Sequence, residues 1–289
     1  MSALPKDLST EEMVTNDAGL GILVRSSRPA AAPRAILVIC HGVNSHSGQY
    51  RWPIQQFAGR GLAVYALDLR GRGRSEGERF YIESVAEYVA DLAMTIRLAK
   101  RRHPGLPVYL LGHSAGGVVS CTYALDNQAE LAGLICESFA FQVYAPDVVL
   151  ALIKGVSHVL PHAPILHLKN EEFSRDPAVV SALNADPLTA NETQPTSTVA
   201  ALARADERLG KEFARITLPV LILHGTADKA TRPSGSQLFF DTVGAADKSL
   251  RLYEGHFHDL LADIGKEQVL SDMWAWMEAR LDRGEKAAA

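Results

Sequence analysis

The chain has 289 residues, of which 47% are hydrophobic and 21% charged, so it is long enough to bury a large core and has the balance of an ordinary folded protein. A formal charge of −4 and a pI near 6.2 give no basic field to attract phosphate backbones, which weighs against a nucleic-acid partner. Met1 to Thr10 has neither a basic start nor an apolar stretch of signal-peptide length, so a cytoplasmic location is expected.

Around Asp17-Ala18-Gly19 the stretch Met13 to Arg25 reads as an antiparallel hairpin on a sheet edge. Continuous apolar runs follow at Ala35 to Cys40 and Leu62 to Leu67, as expected for parallel strands covered on both faces. Arg70, Arg72 and Arg74 come next, read as a solvated loop that pairs with nearby carboxylates such as Glu76 and Glu78. Val85, Val89, Leu92, Ile96 and Ala99 recur at spacings of four and three, the stripe of one helix face. Ser84 with Glu87 forms a capping box at its start, and Pro104-Gly105 ends it.

Strand-like runs return at Val108 to Leu111, Leu131 to Cys136, Val220 to Leu223 and Leu250 to Tyr253. Val269, Met273, Trp276 and Met277 mark a closing helix. Alternation at this pitch predicts an α/β, doubly wound, mostly parallel sheet whose active site lies beyond the carboxyl ends of its strands. The rhythm fails from Phe139 to Arg208, where six prolines interrupt apolar helical fragments and no strand is legible. The expected organisation is therefore a core of residues 1–138 and 209–285, a helical cap or lid over 139–208, and a disordered tail at 286–289. Val148 to Leu168 is apolar but carries Lys154 and internal prolines, which excludes a membrane-spanning reading. The three cysteines, Cys40, Cys121 and Cys136, have no CxxC spacing and read as buried free thiols suited to a reducing compartment.

Chemistry concentrates in three places. Gly112-His113-Ser114-Ala115-Gly116 sits after an apolar strand and before an apolar helix, the context of a nucleophile elbow; small residues on either side let strand and helix approach around a strained serine. Asp228, just past the Val220 to Leu223 strand, suits the carboxylate that orients a base, in the chain order Ser, Asp, His. After the last strand, Tyr253-Glu254-Gly255-His256-Phe257-His258 offers two histidines, and spacing alone does not choose between them. Cys40-His41-Gly42-Val43 supplies a loop whose Val43 amide, with that of Ala115 at the helix start, is placed to bind an oxyanion. His41 itself is read as a structural residue that fixes this loop.

The stretches His41 to Tyr50, Asp68 to Arg79, Gly112 to Gly117, Asp186-Pro187-Leu188, Leu223 to Asp228 and Tyr253-Glu254-Gly255 together resemble the monoacylglycerol lipase and lysophospholipase-like family of serine hydrolases over most of the chain. That resemblance implies an α/β-hydrolase fold with a cap insertion and carboxylic-ester hydrolysis through an acyl-enzyme on Ser114. It places the catalytic histidine three residues past Gly255, on His258, with Asp228 as its partner and Val43 and Ala115 as oxyanion donors. No cofactor and no metal are implied. The expected partner is a small-molecule or lipid ester, with transient contact between the apolar cap and a lipid surface. Other acyl substrates such as polyesters, thioesters or amides, or a binding protein without turnover, are the rival readings.

Overall fold

The apolar runs become strands wherever both of their faces are covered. In the computed structural model, which describes residues 9–288, β1 (Thr10–Thr15) and β2 (Gly21–Ser27) form the expected antiparallel hairpin. They are followed by β3 (Ala35–Cys40), α1 (Arg51–Gly59), β4 (Leu62–Leu67), α2 (Val85–Arg102), β5 (Val108–His113), α3 (Ala115–Asn127) and β6 (Gly133–Glu137). Residues 1–8, most of the segment on which the expected location rests, lie outside the described residues.

Between β6 and the next strand of the main sheet stand α4 (Asp147–Val156), β7 (Pro164–Leu166), α5 (Pro177–Asn184), β8 (Gln194–Pro195) and α6 (Thr196–Glu212). The chain then returns through β9 (Val220–Gly225), α7 (Pro233–Thr242), β10 (Lys248–Tyr253) and α8 (Lys266–Ala288). Among the described residues, eight strands form one sheet in the order β1-β2-β4-β3-β5-β6-β9-β10, parallel from β4 onward.

Side-chain alternation along β3 shows why continuous apolar runs are required. Ile36, Val38 and Cys40 pack with α2 and α3 on one face, while Ala35, Leu37 and Ile39 pack with α1 and α8 on the other. The α2 capping box forms between Ser84 and Glu87, and α8 buries Val269, Met273, Trp276 and Met277 as its stripe predicts.

Three features differ from expectation. The insertion is not strand-free, since β7 and β8 pair antiparallel and join Pro164 to Pro195. The boundary expected at 208 falls inside α6, whose Ala201, Ala205 and Leu209 join the main core. The backbone of the segment expected as a disordered tail continues helix α8 as far as Ala288, and Ala289 lies outside the described residues. No helix among the described residues is long and apolar enough to cross a membrane.

Candidate active site

Sheet order brings the carboxyl ends of β5, β6 and β9 side by side. Leaving β5, Ser114 takes φ 54 and ψ −123 before α3 begins at Ala115, a left-handed conformation that a non-glycine residue holds only when its surroundings enforce it. The enforcement is visible. Ser114 N–H donates to Glu137 O at 2.9 Å, and Ser114 O accepts from Gly117 N at 2.9 Å. A Cβ on Gly116 would stand 2.2 Å from Cys40 O, and one on Gly112 would stand 2.6 Å from Gly116 O, so both glycines are required by close backbone approach.

Gly42 has the same need for a different reason. A Cβ there would lie 2.8 Å from Ser114 Cβ and 3.3 Å from its Oγ, so the backbone after β3 passes directly over the serine. Val43 follows Gly42 in this loop, and Ala115 is the first residue of α3. Among the described residues neither N–H is engaged by an internal acceptor. His41 anchors the loop: its Nδ1 lies 2.7 Å from Gly42 O, and its Nε2 accepts from Leu69 N at 3.0 Å. That arrangement uses the neutral ring, and burial drives the His41 pKa down to about 3.

Asp228 is buried in the turn after β9. Its Oδ2 receives His258 Nδ1 at 2.7 Å and Thr231 Oγ1 at 2.9 Å, and its Oδ1 receives the amides of Ala230 at 2.8 Å and Thr231 at 2.9 Å. His224 Nε2 stands 3.1 Å from the same Oδ2. Burial alone would raise the Asp228 pKa, but His258 and His224 outweigh it and hold the carboxyl far below the usual carboxylate range. Because an ionised carboxylate only accepts, the proton in this contact belongs to His258 Nδ1.

His258 and not His256 therefore meets the aspartate. His256 Nδ1 turns to Glu254 O at 3.2 Å, a contact within its own turn. His256→Ala is accordingly expected to leave kcat/KM for ester hydrolysis within about tenfold of the parent, a change of less than about 1.4 kcal/mol in transition-state stabilisation. Steady-state kinetics on one soluble ester suffice, and a larger loss would give His256 a part in the chemistry.

The histidine loop and the elbow meet through His113, whose ring centroid lies 4.9 Å from that of His258. Sequence patterning gives no sign of the groups beneath. His113 Nδ1 contacts Tyr50 Oη at 2.9 Å, and its Nε2 stands 3.2 Å from Asp259 Oδ1 at an angle too poor for a full hydrogen bond. Burial opposes the imidazolium, yet Asp259 and the buried Glu137 prevail and raise the His113 pKa to about 9. A folded-state pKa above the unfolded value of about 6.5 favours folding fully only below that lower value, and this support is lost as pH rises through about 9. Urea midpoints should therefore fall between pH 7 and 9.5 in the parent and fall less in His113→Gln; parallel curves would remove His113 as the cause. His113, His258 and Asp259 place donor atoms within 4.8 Å of one another, a spacing that the His113–Asp259 ion pair already accounts for.

The arginine loop is not solvated as expected. Arg70 is buried on Asp91 and Glu87 of α2, Arg72 is buried on Glu192 and Gln194 of the insertion, and only Arg74 reaches solvent, paired with Glu11. Glu76 instead accepts the Gly21 amide, and Glu78 meets His162. All three cysteines are buried free thiols, with Cys121 and Cys136 sulfurs 3.6 Å apart.

The family model described as Hydrolase_4, serine aminopeptidase S33, matches residues 31–265. The monoacylglycerol lipase of Mycolicibacterium smegmatis is 32% identical over 265 residues, covering 91% of this chain and 95% of that protein. The monoglyceride lipase of Rattus norvegicus is 29% identical, covering 93% and 90%. The crystal structure of Paleococcus ferrophilus monoacylglycerol lipase superposes with a TM-score of 0.80 at 29% identity, covering 89% of this chain and 99% of that one.

Proposed function

Because this chain belongs to the Hydrolase_4 family, serine aminopeptidase S33, we propose that it is a serine carboxylic-ester hydrolase with Ser114 as nucleophile, His258 as base and Asp228 as the orienting carboxylate. The observations that support this reading are the buried Asp228–His258 contact and the strained serine under the Gly42 backbone, joined where the His258 ring lies 4.9 Å from that of His113, the residue before Ser114.

His258 Nε2 takes the Ser114 proton, and Oγ attacks the ester carbonyl. The Val43 and Ala115 amides bind the developing oxyanion; such a donor is typically worth about 3–4 kcal/mol when removed. His258 returns the proton to the departing alcohol, then activates the water that releases the acid. This chemistry uses no metal or organic cofactor.

The insertion between β6 and β9 acts as the cap over this site. Its helix α4 has no fully buried residue and exposes Val148, Val149 and Leu152, with Val159 and Leu160 just beyond. An apolar surface beside an ester-cleaving site suits an apolar acyl group and transient contact with a lipid surface. The buried thiols fit a cytoplasmic setting.

A series of p-nitrophenyl esters from acetate to palmitate, run beside monoacylglycerols and lysophospholipids, tests this directly. Turnover should rise from the shortest chain to medium or long ones. Cleavage of amino-acid anilides without ester cleavage would overturn the reading.

A further inference from the structure

A buried ion pair joins Glu192 of the insertion to Arg72 in the loop after β4, and the same carboxylate reaches the loop that carries the Val43 amide, which His46 and Gln49 also tie to Asp186 of the insertion. Glu192 and Arg72 are each 1% exposed, and the Arg72 guanidinium bonds Glu192 Oε1. That same Oε1 accepts the Asn44 N–H at 2.8 Å and a bond from Gln194 Nε2. Asn44 follows Val43 directly and sits at φ 53, a left-handed conformation that needs outside support in a residue other than glycine. Both of its supports come from the insertion, since its Nδ2 donates to Leu168 O at 3.2 Å.

The other end of the pair is rigid. Arg72 Nε donates to Tyr88 Oη at 2.9 Å, Nη2 donates to Gln194 Oε1 at 2.7 Å, and the guanidinium lies over the Phe80 and Tyr88 rings. Its loop is tied back to the Asn44 loop where Ser47 N donates to Asp68 Oδ1 at 2.7 Å. Stability alone does not account for such a pair. Desolvating two charges can cost as much as their attraction returns, and well-packed apolar substitutes are often as stable. What an apolar pair lacks is an acceptor for the Asn44 amide.

We propose that Glu192 is a positioning residue that completes the oxyanion hole from the insertion. It fixes Asn44, and through Asn44 the Val43 amide, so the hole is formed only while the insertion is seated on the core. This rests on the hydrolase reading above, in which Val43 is an oxyanion donor.

Two variants separate positioning from stability. Glu192→Gln keeps an oxygen for the Asn44 N–H and sets its NH2 where the buried Oε2 has no partner, but leaves Arg72 without a counter-charge. It should melt below the parent while kcat on a p-nitrophenyl ester, read well below that melting point, stays within about fivefold. Arg72→Met/Glu192→Leu should recover much of the melting temperature, yet lose about 10- to 100-fold in kcat with KM within threefold, since a displacement of about 1 Å can cost that much. Fluorophosphonate labelling should slow by the same factor. If the double variant does not fold, Glu192→Ala against Glu192→Gln makes the same comparison below both melting points. Parental kcat in the variant lacking the acceptor, or equal kcat losses in both variants, overturns the positioning role alone. A parent that is neither labelled nor active overturns the hydrolase reading itself.

Discussion

Ser114→Ala is expected to abolish covalent labelling by a fluorophosphonate probe and to lower kcat for ester hydrolysis by about 10⁶-fold, the loss seen when a triad nucleophile is removed. The residue left behind should still fold. Ser114 makes no side-chain cap to α3, and the bonds that hold the elbow run through its backbone, to Glu137 O and from Gly117 N. Alanine keeps the Cβ against which Gly42 packs. The loss is therefore chemical. Any residual rate, about 10³–10⁴ above water in comparable enzymes, would come from binding and the Val43 and Ala115 amides. Measured beside the parent, a variant with an unchanged circular-dichroism spectrum and melting temperature and no label isolates Ser114 as the site of acylation. Labelling that survives the substitution would move the nucleophile elsewhere.

How much of this was legible depended on whether the cause of a feature is local. The strands Ala35–Cys40 and Leu62–Leu67 coincide with their apolar runs because both faces of each are buried, so hydrophobicity marks their ends. At β5 it does not. The strand continues through Gly112 and His113 because Cys40 and Glu137 pair with those residues, and a pairing partner leaves no trace in the run itself. The elbow was legible because its glycines answer to local geometry. Glu192 was not, since it stands 120 residues from Arg72 and 148 from Asn44. The same holds for β7 and β8, short strands whose prolines read as loop until they pair. His224 lies four residues before Asp228, yet at the end of an apolar strand nothing distinguishes it from a packing residue. Spacing left His256 and His258 level, and the choice between them came from the resemblance; in the structure His258 is the one on the carboxylate.

Asp228→Asn probes that last contact, because the new side chain can fit in only one orientation. The Ala230 and Thr231 amides both donate to Oδ1, so the amide oxygen of asparagine must occupy that position. Its NH2 then takes the place of Oδ2, facing His258 Nδ1, Thr231 Oγ1 and His224 Nε2. The threonine hydroxyl can turn, and His224 can change tautomer against Ser236, whose Oγ lies 2.7 Å from its Nδ1. His258 has no such freedom without consequence. Facing a donor, its Nδ1 must become the acceptor, and the proton passes to Nε2, the nitrogen that should receive the Ser114 proton. The ring stays in place in the wrong tautomer, and kcat should fall by about 10⁴-fold with little change in KM. Asp228→Ala, by contrast, frees the ring as well and leaves the part-buried Ala230 amide and the buried Thr231 amide without their acceptor, so it should cost stability that Asp228→Asn retains. A loss below tenfold in Asp228→Asn, with folding intact, would mean that the carboxylate does not set the tautomer of His258.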